Sequence, residues 1–355
     1  MKVHQMLPTF SYGDAIGNHT LAIRDALRKA GYTSEIFAYN HDPRLAGQVR
    51  YFAELEEEMG PDDILIYHYS LSSPLSLLYM ELKSKKILIY HNITPHHFFY
   101  DTNLALAKEC YMGRRFLPEL APHTHLALGD SSYNEEELKE AGFKKTGVLP
   151  IMIDFERLSS PPSPSFSSAF KDGKKNFLFV GRVINNKKFE DLIKVFHYYQ
   201  RYFNPGSRLI LAGNYSGFER YYMALWELAG RLGVKNLVFT GHVSFRELLS
   251  LYRTADLFLC MSEHEGFCVP LVEAFFFNLP ALAYRCCAVE ETANGGGILF
   301  EKKDFPLIAA TAHQVLTDRD LRERVLESQK RALKRYERKA IEATLLNFVK
   351  EVEEL

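Results

Sequence analysis

The stretch "ADLFLCMSEHEGFCVPLVEAFFFNLPALAYR" (residues 255–285) reads as strand, loop, helix and strand in immediate succession. Residues 255–262 form a short apolar run of the kind found in a strand buried on both faces. Residues 269–277 have helical length, with Pro270 placed where a first turn tolerates it. "LPALAYR" (279–285) is a second buried strand. Two such strands joined by a helix require a parallel pair with a right-handed crossover. The stretch also holds two glutamates, Glu265 and Glu273, at the edge of a hydrophobic segment.

The same alternation runs outward from it. "KNFLFVGRV" (175–183), "SRLILAGN" (207–214) and "NLVFTGHV" (236–243) read as strands, with helices expected over 189–202, 219–232 and 245–253. Residues 305–355 read as helical and charged. In the first half, strands are expected over 2–7, 34–38, 62–69 ("DDILIYHY"), 85–92 ("KKILIYHN"), 125–131 ("HLALGDS") and 146–154. Helices are expected over 20–30 and 134–141, with 13–17 as a loop between the first strand and helix. Between the halves, "LSSPPSPSFSSAFKDG" (158–173) is rich in Ser and Pro and reads as a linker and hinge. The fold class is α/β, with two doubly wound parallel-sheet domains. The expected boundaries are 1–158, a linker at 159–172 and 173–340.

Bulk composition fits this. The chain has 355 residues, enough for two domains of about 150 each. It is 47% hydrophobic and 25% charged, ordinary for a globular protein. A net charge of −1 gives no electrostatic case for nucleic acid as partner. Five cysteines without C-x-x-C spacing favour neither a disulfide framework nor a zinc site, and a reducing cytoplasm is the expected compartment. No leader-like segment and no apolar run of spanning length are read from the chain.

In doubly wound folds ligands bind beyond the carboxyl ends of the strands, so residues just after strands are the candidates. Gly181, Arg182 and Lys187 in "VGRVINNKK" put a guanidinium and an ammonium at a strand end, a good anion site. "YGDAIGNH" (12–19) places Gly13, Asp14, Gly17 and Asn18 between a strand and a helix, where backbone N–H groups can face a phosphate. The glycines are four apart, so this is neither G-x-G-x-x-G nor a Walker loop. A Rossmann oxidoreductase therefore lacks its fingerprint. His91 ends one apolar strand, and His68 occupies the same place in another. His96 and His97 lack metal-ligand spacing. Glu265 follows the strand at 255–262, Glu273 lies in the next helix, and the amides of Phe267, Cys268 and Val269 lie at that helix's start, where negative charge is favoured. Carboxylates suit sugar hydroxyls and backbone donors suit phosphate.

Together these motifs resemble the retaining nucleotide-sugar glycosyltransferases of the GT-B fold, family 4 or "group 1". The resemblance rests on the E-x7-E pair Glu265–Glu273, on Arg182 and Lys187, and on the order of "LAGN", "FTGHVSFRELLSLYRTADLFLCMS" and "GGGILFEKKD" around them. It is strongest over 177–304; "GDAIGNHTLAIRDALRKAGY" and "YHNITP" carry it in the first half. It implies two domains facing each other across a cleft. It further implies that Arg182 and Lys187 grip the donor diphosphate and that Glu265 binds donor-sugar hydroxyls. The amides of Gly266, Phe267 and Cys268 would touch sugar and phosphate, and Glu273 would hold the ribose. Gly17, within 13–18, would approach the donor phosphate and the acceptor, with Gly13, Asp14 and Asn18 on the acceptor side. His91 would lie beside the donor sugar. No metal and no cofactor beyond the nucleotide-sugar donor would be needed, and the acceptor would be a carbohydrate or a lipid-linked species. The last helix, 341–355, would pack back on the first domain. The basic, aromatic stretch "LAKECYMGRRFLPELA" (106–121) raises peripheral membrane contact.

Two departures stand out. The family's E-G-F-G becomes E-G-F-C here, with Cys268 in place of glycine close to the expected sugar. "RCCAVEETANGGG" (285–297) places Cys286–Cys287 and Glu290 where glycine and proline are usual; Glu291 matches the family's glutamate. A GT-B epimerase, a glycoside synthase or phosphorylase, and a non-catalytic carbohydrate-binding protein remain the alternatives.

Overall fold

The computed structural model describes residues 1–355 and divides into two compact units. Unit 1 comprises Met1–His97, Ala105–Asp154 and Tyr336–Leu355; unit 2 comprises Phe98–Leu104 and Phe155–Arg335. Each is built on one all-parallel sheet.

Unit 1 has seven strands: β1 (Val3–Phe10), β2 (Ile36–His41), β3 (Arg50–Tyr51), β4 (Ile64–Tyr69), β5 (Lys85–Tyr90), β6 (Leu126–Gly129) and β7 (Thr146–Val148). Their order is β3-β2-β1-β4-β5-β6-β7. Every residue of β4 is buried, which is why it reads as a continuous apolar run. Strand alternation sends Ile64, Ile66, Ile87, Ile89, Leu126 and Leu128 to one face. There they meet Ile23 and Leu27 of the helix Ala15–Lys29 and Ile341, Leu345, Val349 and Val352 of the last helix, Arg338–Glu353. That last helix thus belongs to the core of unit 1.

Unit 2 has six strands: β8 (Asn176–Val180), β9 (Arg208–Ala212), β10 (Leu237–Gly241), β11 (Leu257–Cys260), β12 (Ala281–Tyr284) and β13 (Ile298–Phe300). Their order is β10-β9-β8-β11-β12-β13. The chain reverses direction across the sheet between β8 and β11, the switch point at which doubly wound sheets bind ligands.

Two boundaries differ from the sequence reading. The helix expected over 20–30 starts at Ala15, because the Asp14 carboxylate accepts the Gly17 amide at 2.6 Å and caps it. Gly17 and Asn18 are therefore helical. The Ser/Pro stretch expected to be a linker is docked on unit 2. The Ser163 amide donates to Arg246 O and Ser250 Oγ, Pro164–Ser168 forms a short helix, and Phe170 is buried. The stretch 106–121, read as basic and aromatic, falls largely within the helix Leu104–Leu120. No helix is long and apolar enough to cross a membrane.

Candidate functional site

The loops after β8 and β11 flank the switch point of unit 2, and they are zipped together. The Glu263 amide donates to Asn186 O at 2.8 Å, and Asn186 Nδ2 donates to His264 O at 3.0 Å. Lys303 bonds Asp191 and Glu263 at 2.7 and 2.8 Å, and Lys188 lies 3.2 Å from Glu263. This network, unread in the sequence, fixes the backbone two residues ahead of Glu265. The loop after β12 props the other side. The Ala288 amide donates to Glu265 O at 3.3 Å, and the Thr292 hydroxyl donates to Phe267 O.

Within this frame Lys187 Nζ donates to Glu265 Oε2 at 2.6 Å, the carboxylate side chain being 7% exposed. Burial pulls the Lys187 ammonium down, but Glu265 beside it outweighs this and holds it above the usual lysine value. Arg182 differs: it is exposed, and its guanidinium makes no ion pair. Gly181 and Gly213 bring their backbones very close, since a Cβ on Gly213 would fall 1.8 Å from Gly181 O. No larger residue fits there.

Cys268 caps the helix Val269–Phe276 at φ 78°, a left-handed conformation that favours glycine. Its thiol does not stand open in a pocket: Cys268 is 5% exposed. The sulfurs of Cys260 and Cys268 and a Glu265 carboxylate oxygen lie within 4.8 Å of one another, a set with ligand chemistry for a soft cation. The Lys187 ammonium already neutralises that carboxylate. The Val269 amide, at the helix start, lies ahead of the first intrahelical bond.

Glu273 lies one turn further on, partly buried. Burial raises its carboxyl above the usual range, and a 2.6 Å hydrogen bond from the Tyr252 hydroxyl opposes this. Tyr252 stacks on Phe277 at 5.1 Å. It escaped the sequence reading because it precedes β11, on the helix Phe245–Thr254. Glu291 is paired with Arg335, and Glu290 with Arg285.

Unit 1 gathers a second cluster. His91 follows β5 directly, and its side chain is 1% exposed. Nδ1 lies 2.9 Å from Asp130 and Nε2 lies 2.8 Å from His68 Nδ1. The hydrogens can be assigned from the far end. Gln5 Nε2 donates to Thr20 O, so Gln5 Oε1 faces His68 Nε2, which must carry hydrogen. Burial holds His68 neutral, leaving Nδ1 as acceptor for an Nε2–H of His91. One proton is then shared between His91 Nδ1 and Asp130, whose carboxyl burial pushes up. Both His91 nitrogens thus have hydrogen-bond partners inside unit 1. The His96 ring lies 5.1 Å from that of Tyr111 and 6.5 Å from that of His97.

Gly17 is buried in the helix, where a Cβ would meet Ser11 O at 2.4 Å. Its visible role is close packing of the loop after β1. Gly13 supplies φ 79° in that loop, and Asp14 is the cap.

The comparisons bear on unit 2 first. Residues 163–332 match the family described as Glycosyl transferases group 1. The matched stretch, just under half of the chain, lies wholly within unit 2. An uncharacterized glycosyltransferase of Methanocaldococcus jannaschii is 30% identical over 168 residues, covering 46% of this chain and 42% of that protein. O-antigen chain mannosyltransferase B of Escherichia coli is 28% identical over 148 residues, covering 41% and 38%. The aligned part therefore spans about two fifths of these relatives. Anabaena HepE, solved in complex with UDP and glucose, superposes with a TM-score of 0.78 at 16% identity, over 99% of this chain and 100% of that one. The likeness extends the GT-B fold to both units.

Proposed function

We propose that the chain is a retaining glycosyltransferase that moves a hexosyl group from a nucleoside-diphosphate sugar to a hydroxyl acceptor, without a metal ion. The observation that carries this is the grouping at the switch point of unit 2: an uncommitted Arg182, the Lys187–Glu265 pair and the start of the helix Val269–Phe276. Arg182 and Lys187 bind the diphosphate, Glu265 the sugar hydroxyls and Glu273 the ribose. The amides of Gly266, Phe267, Cys268 and Val269 complete the donor contacts, behind the Gly181 turn.

As the bond from the anomeric carbon to the diphosphate breaks, negative charge grows on the phosphate. Two cations and a helix start placed there stabilise what develops in the transition state. The acceptor oxygen bonds to the same face of the anomeric carbon, and its proton passes to the leaving phosphate oxygen. Glu265, tied to Lys187, is occupied as a hydroxyl and charge partner. In unit 1 the loop carrying Gly13, Asp14, Gly17 and Asn18 serves the acceptor. The His91–Asp130–His68 chain shapes that region from beneath.

The relatives' names support UDP as the first donor nucleotide to try and a cell-envelope polysaccharide, carbohydrate or lipid-linked, as the acceptor. The location we propose is the cytoplasm, with peripheral contact at the inner face of the membrane. The test is incubation with UDP-, GDP- and ADP-hexoses and hydroxyl acceptors, with and without EDTA. A new glycoside of retained anomeric configuration, unaffected by EDTA, is expected. An isomerised nucleotide sugar would point to an epimerase, and donor binding without turnover to a binding protein.

A further inference from the structure

We propose that Cys260 and Cys268 form a redox-sensitive pair whose oxidation to a disulfide displaces the donor loop. The proposal rests on the donor-site reading of Glu265. Cys260 is the last residue of β11, and Cys268 caps the helix eight positions on. Both are buried and both are free thiols. Their sulfurs lie within 4.8 Å of each other and of the Glu265 carboxylate. Cys268 keeps a side chain where φ is 78°, a left-handed conformation that favours glycine. The alternative, a soft cation between the sulfurs and Glu265, would share its carboxylate with an ammonium 2.6 Å away, an unfavourable like-charge contact.

The oxidant we name is hydrogen peroxide. Cys260 sulfur attacks one oxygen of hydrogen peroxide, the O–O bond breaks, and the released hydroxide leaves as water with the Cys260 proton. Cys268 sulfur then attacks the resulting sulfenic sulfur, the S–O bond breaks, and a second water leaves with the Cys268 proton. Two thiols lose two electrons and two protons, and peroxide is reduced to two waters. A hydrogen bond from Cys268 lowers Cys260 from the usual thiol range, which suits it to attack first.

A disulfide needs sulfurs about 2.05 Å apart. Closing the pair draws the helix start toward β11, and the segment 265–268 moves with it. Glu265 would leave Lys187, and the amides around Gly266 and Phe267 would shift.

The experiment treats the full reduced chain with one equivalent of hydrogen peroxide, then reads intact mass, disulfide-mapped peptides and UDP affinity by titration calorimetry. The expected result is a chain about 2 Da lighter, a bond joining Cys260 to Cys268, and UDP affinity at least about tenfold weaker, restored by dithiothreitol. Cys260→Ser and, as a second packing variant, Cys260→Ala should bind UDP like the parent and lose the peroxide response. A bond at Cys286 or Cys287, no bond, unchanged UDP affinity in the oxidised chain, or a variant that still responds would each overturn the proposal. If the reduced parent fails to bind UDP, the donor reading fails, while the mapped bond still decides the thiol pair.

Discussion

Lys187 and Glu265, 78 residues apart, meet at 2.6 Å beside the point where the strand order of unit 2 reverses. The pair joins the two loops that the proposed donor must touch. Each partner has a different task toward that donor, so the two can be separated. Glu265→Gln should leave UDP affinity within about threefold and weaken the matching UDP-sugar by about tenfold or more, the scale of a hydrogen bond to a charged group. Lys187→Ala should weaken both ligands. Calorimetric titration with each ligand checks this, and equal losses for Glu265→Gln would contradict it.

Glu273 makes a pH prediction. Burial raises its folded carboxyl above the unfolded value, so its stabilising contribution is complete below the unfolded value and is lost as pH rises through the folded one. At neutral pH the ionised group is therefore a net cost to the free protein. Glu273→Gln should melt at the same temperature as the parent or higher at pH 7, yet lose most of the UDP-induced shift. UDP affinity of the parent should fall on acidification, beginning above the ordinary carboxylate range, and should fall less in the Gln variant, where only the ligand's own phosphate takes up a proton. Tyr252→Phe removes the bond that favours the carboxylate, so the fall should begin at higher pH.

The His91–Asp130 pair is a matter of stability first. Asp130→Ala leaves a buried imidazole without its partner, a loss of about 3–5 kcal/mol by the usual cost of breaking a buried pair. Asp130→Asn can still donate to His91 Nδ1 and should recover most of it. Chemical denaturation followed by circular dichroism measures both; a loss under about 1 kcal/mol for the alanine variant would show that the pair is not closed as described.

Gly17→Ala should cost about 1–3 kcal/mol, because the new methyl meets a backbone carbonyl rather than a flexible side chain. A thermal melt unchanged from the parent would mean the loop after β1 yields freely.

Much of this was legible beforehand. The strand–helix alternation, the helices Phe189–Tyr202 and Glu219–Leu232, and the placing of Arg182, Lys187 and Glu265 after strands and of Glu273 on a helix follow from local pattern and spacing. What escaped is contact across strands that are neighbours in the sheet but distant in the chain. Gln5, His68, His91 and Asp130 sit on or just after β1, β4, β5 and β6, and only the order β1-β4-β5-β6 lines them up. Read alone, His91 is a ring at a strand end; the partners that enclose it lie 23 and 39 residues away. Cys268 reads in the sequence only as a side chain where glycine is usual; nothing local reveals that its sulfur lies within 4.8 Å of that of Cys260. The Ser/Pro stretch misled for a similar reason: its composition suits a linker, but its partners Arg246 and Ser250 are distant in sequence.

The most direct measurement is a thermal-shift screen of UDP-, GDP- and ADP-sugars against the parent, Arg182→Ala and Lys187→Ala. A ligand that binds only the folded chain raises its melting temperature by mass action. Arg182 has no ion-pair partner to lose, so its alanine variant should melt like the parent without ligand. The account predicts that one nucleotide sugar stabilises the parent and that the shift disappears in both variants. Both variants retaining the full shift would contradict the assignment of the diphosphate to Arg182 and Lys187.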